Sequence, residues 1–86
     1  MKYFVVAIFD SAVKAYMQPG YAPSEEAAIR SFKNVFKQEG PNPLKQNPED
    51  HALFHLGYFD DNTGSIDSIR PNQLVRGVDC LSEGVK

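Results

Sequence analysis

The 86-residue sequence has no tryptophan and one cysteine, Cys80. A single cysteine excludes an intrachain disulfide and fits a reducing compartment. No apolar run approaches the ~20 residues that a membrane-spanning helix needs. The start, Lys2 followed by Tyr3 to Phe9, has the charge-then-apolar order of a secretory leader. That run is only seven residues long, contains aromatics and is closed at once by Asp10, so no signal peptide is expected. There is no glycine-rich phosphate loop, no internal repeat and no low-complexity segment. A large charge excess is also lacking. Nine Lys and Arg stand against eleven Asp and Glu, net −2, which gives no global attraction for nucleic acid.

What is present reads as one folded domain spanning residues 1–86. The hydrophobic fraction is 42%, ordinary for a globular chain. A chain this short buries only about 60–65% of its unfolded surface, so its core is marginal and a partner subunit would help it. Charge is unevenly placed. Residues 1–45 hold six basic and four acidic groups, net +2, and residues 46–86 hold three basic and seven acidic groups, net −4.

The stretch Asn47 to Ile69 organises the rest. An apolar, aromatic run to Phe59 meets the polar cluster Asp60-Asp61-Asn62-Thr63-Gly64, and Ser65 to Ile69 follows. That pattern predicts strand, turn, strand, with Gly64 in the left-handed conformation. Earlier, Tyr3 to Phe9 reads as a strand. Asp10-Ser11 reads as a turn, and Ala12 to Gln18 as an edge strand interrupted by Pro19-Gly20. Ser24 is a good N-cap for a helix to about Gln38, with Glu25 and Glu26 in its first turn and Gly40-Pro41 stopping it. Residues 39–49 form a proline-rich loop, a candidate contact loop. Pro71 opens a short helix closing near Gly77, and residues 79–86 read as a frayed tail.

The expected fold class is therefore α+β, ββαββ. Its four-stranded, mainly antiparallel sheet has order 2-1-3-4, with one helix on one face and a short C-terminal helix or tail. One helix covers one face. Phe4, Val6, Ile8, Phe54 and Leu56 are assigned to that face. The other carries Tyr3, Val5, Phe9 and Tyr16 from the first hairpin, and Leu53, His55 and Phe59 from the second. That is too apolar to leave in water, and it predicts burial of this face, by a homodimer interface or by the C-terminal tail.

Few residues suggest chemistry. His51 and His55 have helical zinc spacing, but on a strand they stand about 13 Å apart at ~3.3 Å per residue, too far to share a metal. The Asp60–Gly64 cluster fails as a calcium loop, because Ser65 stands where the sixth-position glycine belongs and Pro71 where the closing glutamate belongs. Cys80 has no histidine near it in sequence. Neither an enzyme nor a cofactor or metal site is expected. Two binding features remain: a helix stripe of Arg30, Lys33 and Lys37, with Lys45 after it, and the open sheet face. The stripe suits phosphates, and exposed aromatics can stack unpaired bases.

Several blocks resemble the small non-structural protein of gokushoviruses, tailless single-stranded DNA phages of the Microviridae. They are Met1-Lys2-Tyr3-Phe4-Val5, Phe9-Asp10-Ser11, Ala15-Tyr16-Met17-Gln18-Pro19, Glu26-Ala27-Ala28-Ile29-Arg30-Ser31-Phe32, Asn47 to Phe54, and Leu56 to Gly64. In order, they cover roughly residues 1–66. The resemblance implies a phage protein made in the bacterial host cytoplasm and absent from the mature capsid. It implies a part in single-stranded DNA synthesis or packaging, with single-stranded DNA and phage replication or capsid proteins as partners. It implies no catalytic residues. A different class of reading stays open beside it, a homodimeric interaction adaptor or assembly factor with no nucleic-acid contact.

Overall fold

In the computed structural model, which describes residues 1–84, a β-sheet carries helices on one side. The elements are β1 (Lys2–Asp10), β2 (Ala15–Tyr16), β3 (Gly20–Ala22), α1 (Glu25–Val35), α2 (Pro43–Gln46), a 3-10 turn (Pro48–Asp50), β4 (His51–Asp60), β5 (Ser65–Arg76) and α3 (Gly77–Gly84). The sheet runs β2-β1-β4-β5, with β3 also on β1, and every pairing is antiparallel.

The α+β class and the antiparallel sheet match the expectation; the details differ. The second strand splits in two. Phe9 pairs with Tyr16, but Val6 pairs with Gly20, so the returning chain gains one residue around Met17 to Pro19. Pro19 has no N–H to give to a ladder, and the break falls there. The turn before it occupies Ser11 to Lys14. Asp10 Oδ1 accepts from Ala12 N at 3.0 Å.

α1 starts where its cap predicts. Ser24 Oγ accepts a hydrogen bond from Ala27 N at 3.1 Å, and Glu25 and Glu26 sit at the positive end of the helix dipole. It ends at Val35, short of Gln38. Phe36 N and Lys37 N bond to Lys33 O and Asn34 O, the tighter three-residue spacing of a closing turn. Ala28 and Phe32 point from α1 onto Val6, Ile8 and Leu53. Leu44 of α2 and Cys80 of α3 complete this core, so the proline-rich loop helps to build the interior.

β5 departs furthest from the sequence reading. It runs on through Pro71 to Arg76, where a helix was expected to open. Asn72 lies opposite His55 and Ser68 opposite Gly57, so Ile69, Arg70 and Pro71 bulge against Leu56. A proline is tolerated at a bulge of an edge strand. Beyond it, Leu74 and Val75 pack on the core from the strand, and helix begins only at Gly77. Of the segment 79–86 expected as a tail, the residues through Gly84 continue α3, and residues 85 and 86 lie outside the described residues.

The turn after β4 is closed by Gly64, with φ +75° and its N–H bonded to Asp60 O at 2.8 Å. The Met1 ammonium donates to Asp61 Oδ1 at 2.8 Å, and that contact raises its pKa above the ordinary 8.0. A raised pKa in the folded state stabilises below about pH 8 and ceases to do so as pH climbs through the folded value. The Tm advantage over an Asp61→Asn variant, measured by thermal circular dichroism, should therefore be present at pH 7 and vanish at alkaline pH. An advantage that does not change with pH would refute it.

At Gly57 an added Cβ would lie 2.3 Å from Asp67 O and 3.1 Å from Ser68 Cα, both backbone atoms of β5. The ladder must shift to admit it. Gly57→Ala should lower Tm by on the order of 10 °C, the equivalent of about 1–3 kcal/mol of overpacking in a domain this size. Calorimetry showing an unchanged Tm would disprove this.

Candidate functional site

The outer side of α1 gathers the first candidate. Ala28 and Phe32 are committed to the core, so residues about half a turn away face outward. Arg30 and Lys33 lie there within α1, and Lys37 follows in the closing turn. With Glu26, Ile29 and Asn34 they line a shallow groove of about 260 Å³. The groove holds three cations and one carboxylate. Glu26 precedes Arg30 by four residues, the favourable order for a helix pair. Lys33 also lies in the last turn, where the helix dipole favours a cation.

Lys45 stands apart from this group. Its Nζ donates to Gly40 O at 3.1 Å and to Gln38 O, and its N–H donates to Asn42 Oδ1 at 2.9 Å. The ammonium thus ties together the loop after α1. The structure unites three of the four predicted basic residues and uses the fourth as a local fastener.

The second candidate is the sheet face opposite the helices. Directly paired residues of an antiparallel ladder share a face. Tyr3 pairs with Phe59, Val5 with Tyr21, Ala7 with Phe54, Phe9 with Tyr16 and Phe59 with Ile66. Two aromatic clusters result. At one end Phe59 lies 6.4 Å from Tyr3 and 5.6 Å from Tyr21, centroid to centroid. At the other, Phe9, Tyr16 and Phe54 meet at 4.9–6.1 Å.

Of the seven residues predicted for this face, Tyr3, Val5, Phe9, Tyr16 and Phe59 are there. Leu53 and His55 are not. Leu53 pairs with Ile8 and His55 with Val6, on the helix side, and they are 4% and 3% exposed. The cause is a bulge. Val5 lies opposite Gly57 but Val6 opposite His55, so Leu56 is an extra residue in β4. Strict alternation places residues 53, 55 and 59 on one face, and one inserted residue moves the first two to the other. The same slip brings Phe54 onto the open face and Tyr58 onto the helix side. Phe54, Tyr21 and Ile66 were missed. The glycine in Leu56-Gly57-Tyr58 was the signal that could have exposed the slip.

The histidines are occupied within the chain. His51 Nδ1 lies 2.8 Å from Asn47 O, and its Nε2 lies 3.5 Å from Asp10 Oδ2. His55 Nε2 bonds to Gly57 O at 2.9 Å, with the ring between Phe4 and Tyr58 at 4.7 and 4.8 Å. Cys80 is buried, and its Sγ donates to Arg76 O at 3.6 Å. Among the described residues no group of three or more His, Cys, Asp or Glu is placed to hold a metal ion. No helix among them is long and apolar enough to cross a membrane.

Residues 3–80 match the family model for the phage ORF5 protein. The chain belongs to that family. Neither the curated proteins nor the solved structures contain a match to it. Family membership covers both candidate surfaces, since α1 and nearly all of the sheet lie within residues 3–80.

Because both histidines bond to backbone carbonyls, treatment with a chelator should leave Tm unchanged. A fall of more than about 5 °C, a kcal-scale loss for a domain of this size, would show that a metal contributes.

Proposed function

We propose that this phage ORF5 family member is a non-structural accessory protein of a gokushovirus-like phage. It acts in the bacterial host cytoplasm, in single-stranded DNA synthesis or packaging, by weak contact with the phosphate backbone. The observation that carries this reading is the outer groove of α1, where Arg30, Lys33 and Lys37 converge. Arg30 and Lys37, with Lys33 between them, place cations along about two helical turns, where phosphates are attracted. No catalytic step is assigned to the chain. It is a binding protein in this reading, with phage replication or capsid proteins as further partners.

In this reading the groove of α1, rather than the sheet face, is the surface that meets DNA. The sheet's aromatic face and the groove of α1 point away from each other, because α1 sits on the side of the sheet opposite that face. One strand segment cannot lie on both. The groove supplies charge without stacking, so binding through it is modest and insensitive to sequence. A second reading has its own support: the net charge of −2 opposes DNA, and the apolar sheet face favours an interaction adaptor with no nucleic-acid contact.

Each phosphate neutralised on a single strand adds about −0.7 to the slope of log affinity against log salt, so two to three contacts give about −1.4 to −2. Fluorescence anisotropy with a labelled oligonucleotide at several salt concentrations should return that slope. Changing Arg30, Lys33 and Lys37 together to Gln should abolish binding, with circular dichroism confirming the fold. Lys45→Ala should leave the slope unchanged, since that ammonium already serves Gln38 and Gly40. Equal binding by the triple variant, or no binding by the unmodified protein at low salt, overturns the DNA reading and favours the adaptor.

A further inference from the structure

The open sheet face has to be covered by something, and we infer that a second copy of this chain covers it. The chain exposes more surface than the average scaling for compact monomers of its mass gives. A 9.6 kDa monomer is expected to expose about 5,100 Å², whereas this chain exposes 5686 Å². Its radius of gyration is 13.4 Å, against about 12 Å for a compact chain of this length. The excess is about 600 Å² by the same scaling.

The chemistry of the face selects the occupant. Among the residues that the β1–β4–β5 ladder pairs on this side, Arg76 is the one charged side chain, and Asp79 Oδ1 holds its guanidinium at 3.3 Å. A nucleic acid needs cations near its phosphates, and this ladder offers none beyond that paired arginine. A face without net charge does not repel its own copy, and the cores of homodimer interfaces are the most apolar kind. Tyr21, in the Phe59 cluster, and Ile66, which pairs with Phe59 and extends the patch beyond that cluster, are 63% and 67% exposed on the single chain. Two-fold pairing of such faces buries them against each other and leaves both α1 grooves on the outside. The inference does not rest on DNA binding; a dimer that ignores DNA satisfies it.

The test is sedimentation equilibrium or light scattering at about 100 µM, a concentration that detects dimers of weak to moderate affinity. The expected mass is twice that of the chain. Ile66→Arg and Tyr21→Arg change side chains already exposed on the single chain, so both should fold, as far-UV circular dichroism will show, and both should sediment as monomers. Asn34→Arg, which adds the same charge on the outer side of α1, should remain dimeric. A monomeric unmodified protein overturns the inference, and so does a dimer that persists in both face variants. If the unmodified protein is monomeric and the face variants lose oligonucleotide binding, the face is a base-stacking platform instead. Monomeric face variants that keep the salt-dependent binding of the α1 groove support the inference and the separation of the two surfaces together.

Discussion

From Lys2 opposite Asp60 to Asp10 opposite His51, β1 and β4 pair along their whole length, and this ladder decides which side chains meet α1. Among the described residues it is the one pairing with both partners inside the sheet. The bulge at Leu56 divides it into two phases. Below the bulge, His51, Leu53 and His55 face the helices; above it, Tyr58 does. The core therefore takes two histidines from β4 and rejects Phe54. Each histidine has a carbonyl within hydrogen-bond reach, which removes the penalty of an unpartnered buried ring nitrogen. The phenylalanine loses little on the open side, because Phe9 and Tyr16 pack around it.

Much of the chain's organisation could be read from local chemistry. Ser24 with Glu25 and Glu26 marked the start of α1, Gly64 marked the turn, and the apolar run at Tyr3 marked a central strand. These signals act over a few residues, where sterics and capping decide. The stripe of Arg30, Lys33 and Lys37 was legible for the same reason, since helical spacing alone sets which residues stand together. Reading failed where a distant partner decides. Lys45 looks like a free cation until the carbonyls of Gln38 and Gly40 are brought to it. Pro71 looks like a helix start, but the core's need for Leu74 and Val75 keeps the chain extended past it. Phase in β4 failed most consequentially, since one inserted residue exchanges the two faces.

That exchange alters the character of the open face more than its extent. The alternating assignment gave it a histidine and a leucine; the observed one gives it Phe54, Tyr21 and Ile66 and removes its one titratable imidazole. The result is more apolar, more aromatic and nearly without charge. Such a surface is poorly suited to holding phosphates and well suited to meeting a protein surface of its own kind. The basic residues are concentrated elsewhere, on the outside of α1. The division of labour follows from the layers themselves. A single helix can shield one side of a sheet, and its polar stripe must then face away from it.

The small core makes this arrangement more than a convenience. Among the described residues no hydrophobic side chain reaches complete enclosure, and α1, α2 and α3 share one modest cluster around Phe32 and Leu53. At roughly 0.05–0.15 kcal/mol per residue, a chain of this length has about 4–13 kcal/mol of stability in hand. Burying a second apolar face would add a contribution comparable to that margin, because even a few hundred Å² at ~25 cal/mol per Å² amounts to several kcal/mol before association costs. In the proposed dimer, then, assembly and folding reinforce each other by mass action. The concentration of the protein would set how much of it is folded and paired. The α1 grooves, which lie outside the pairing surface, would remain available in either state.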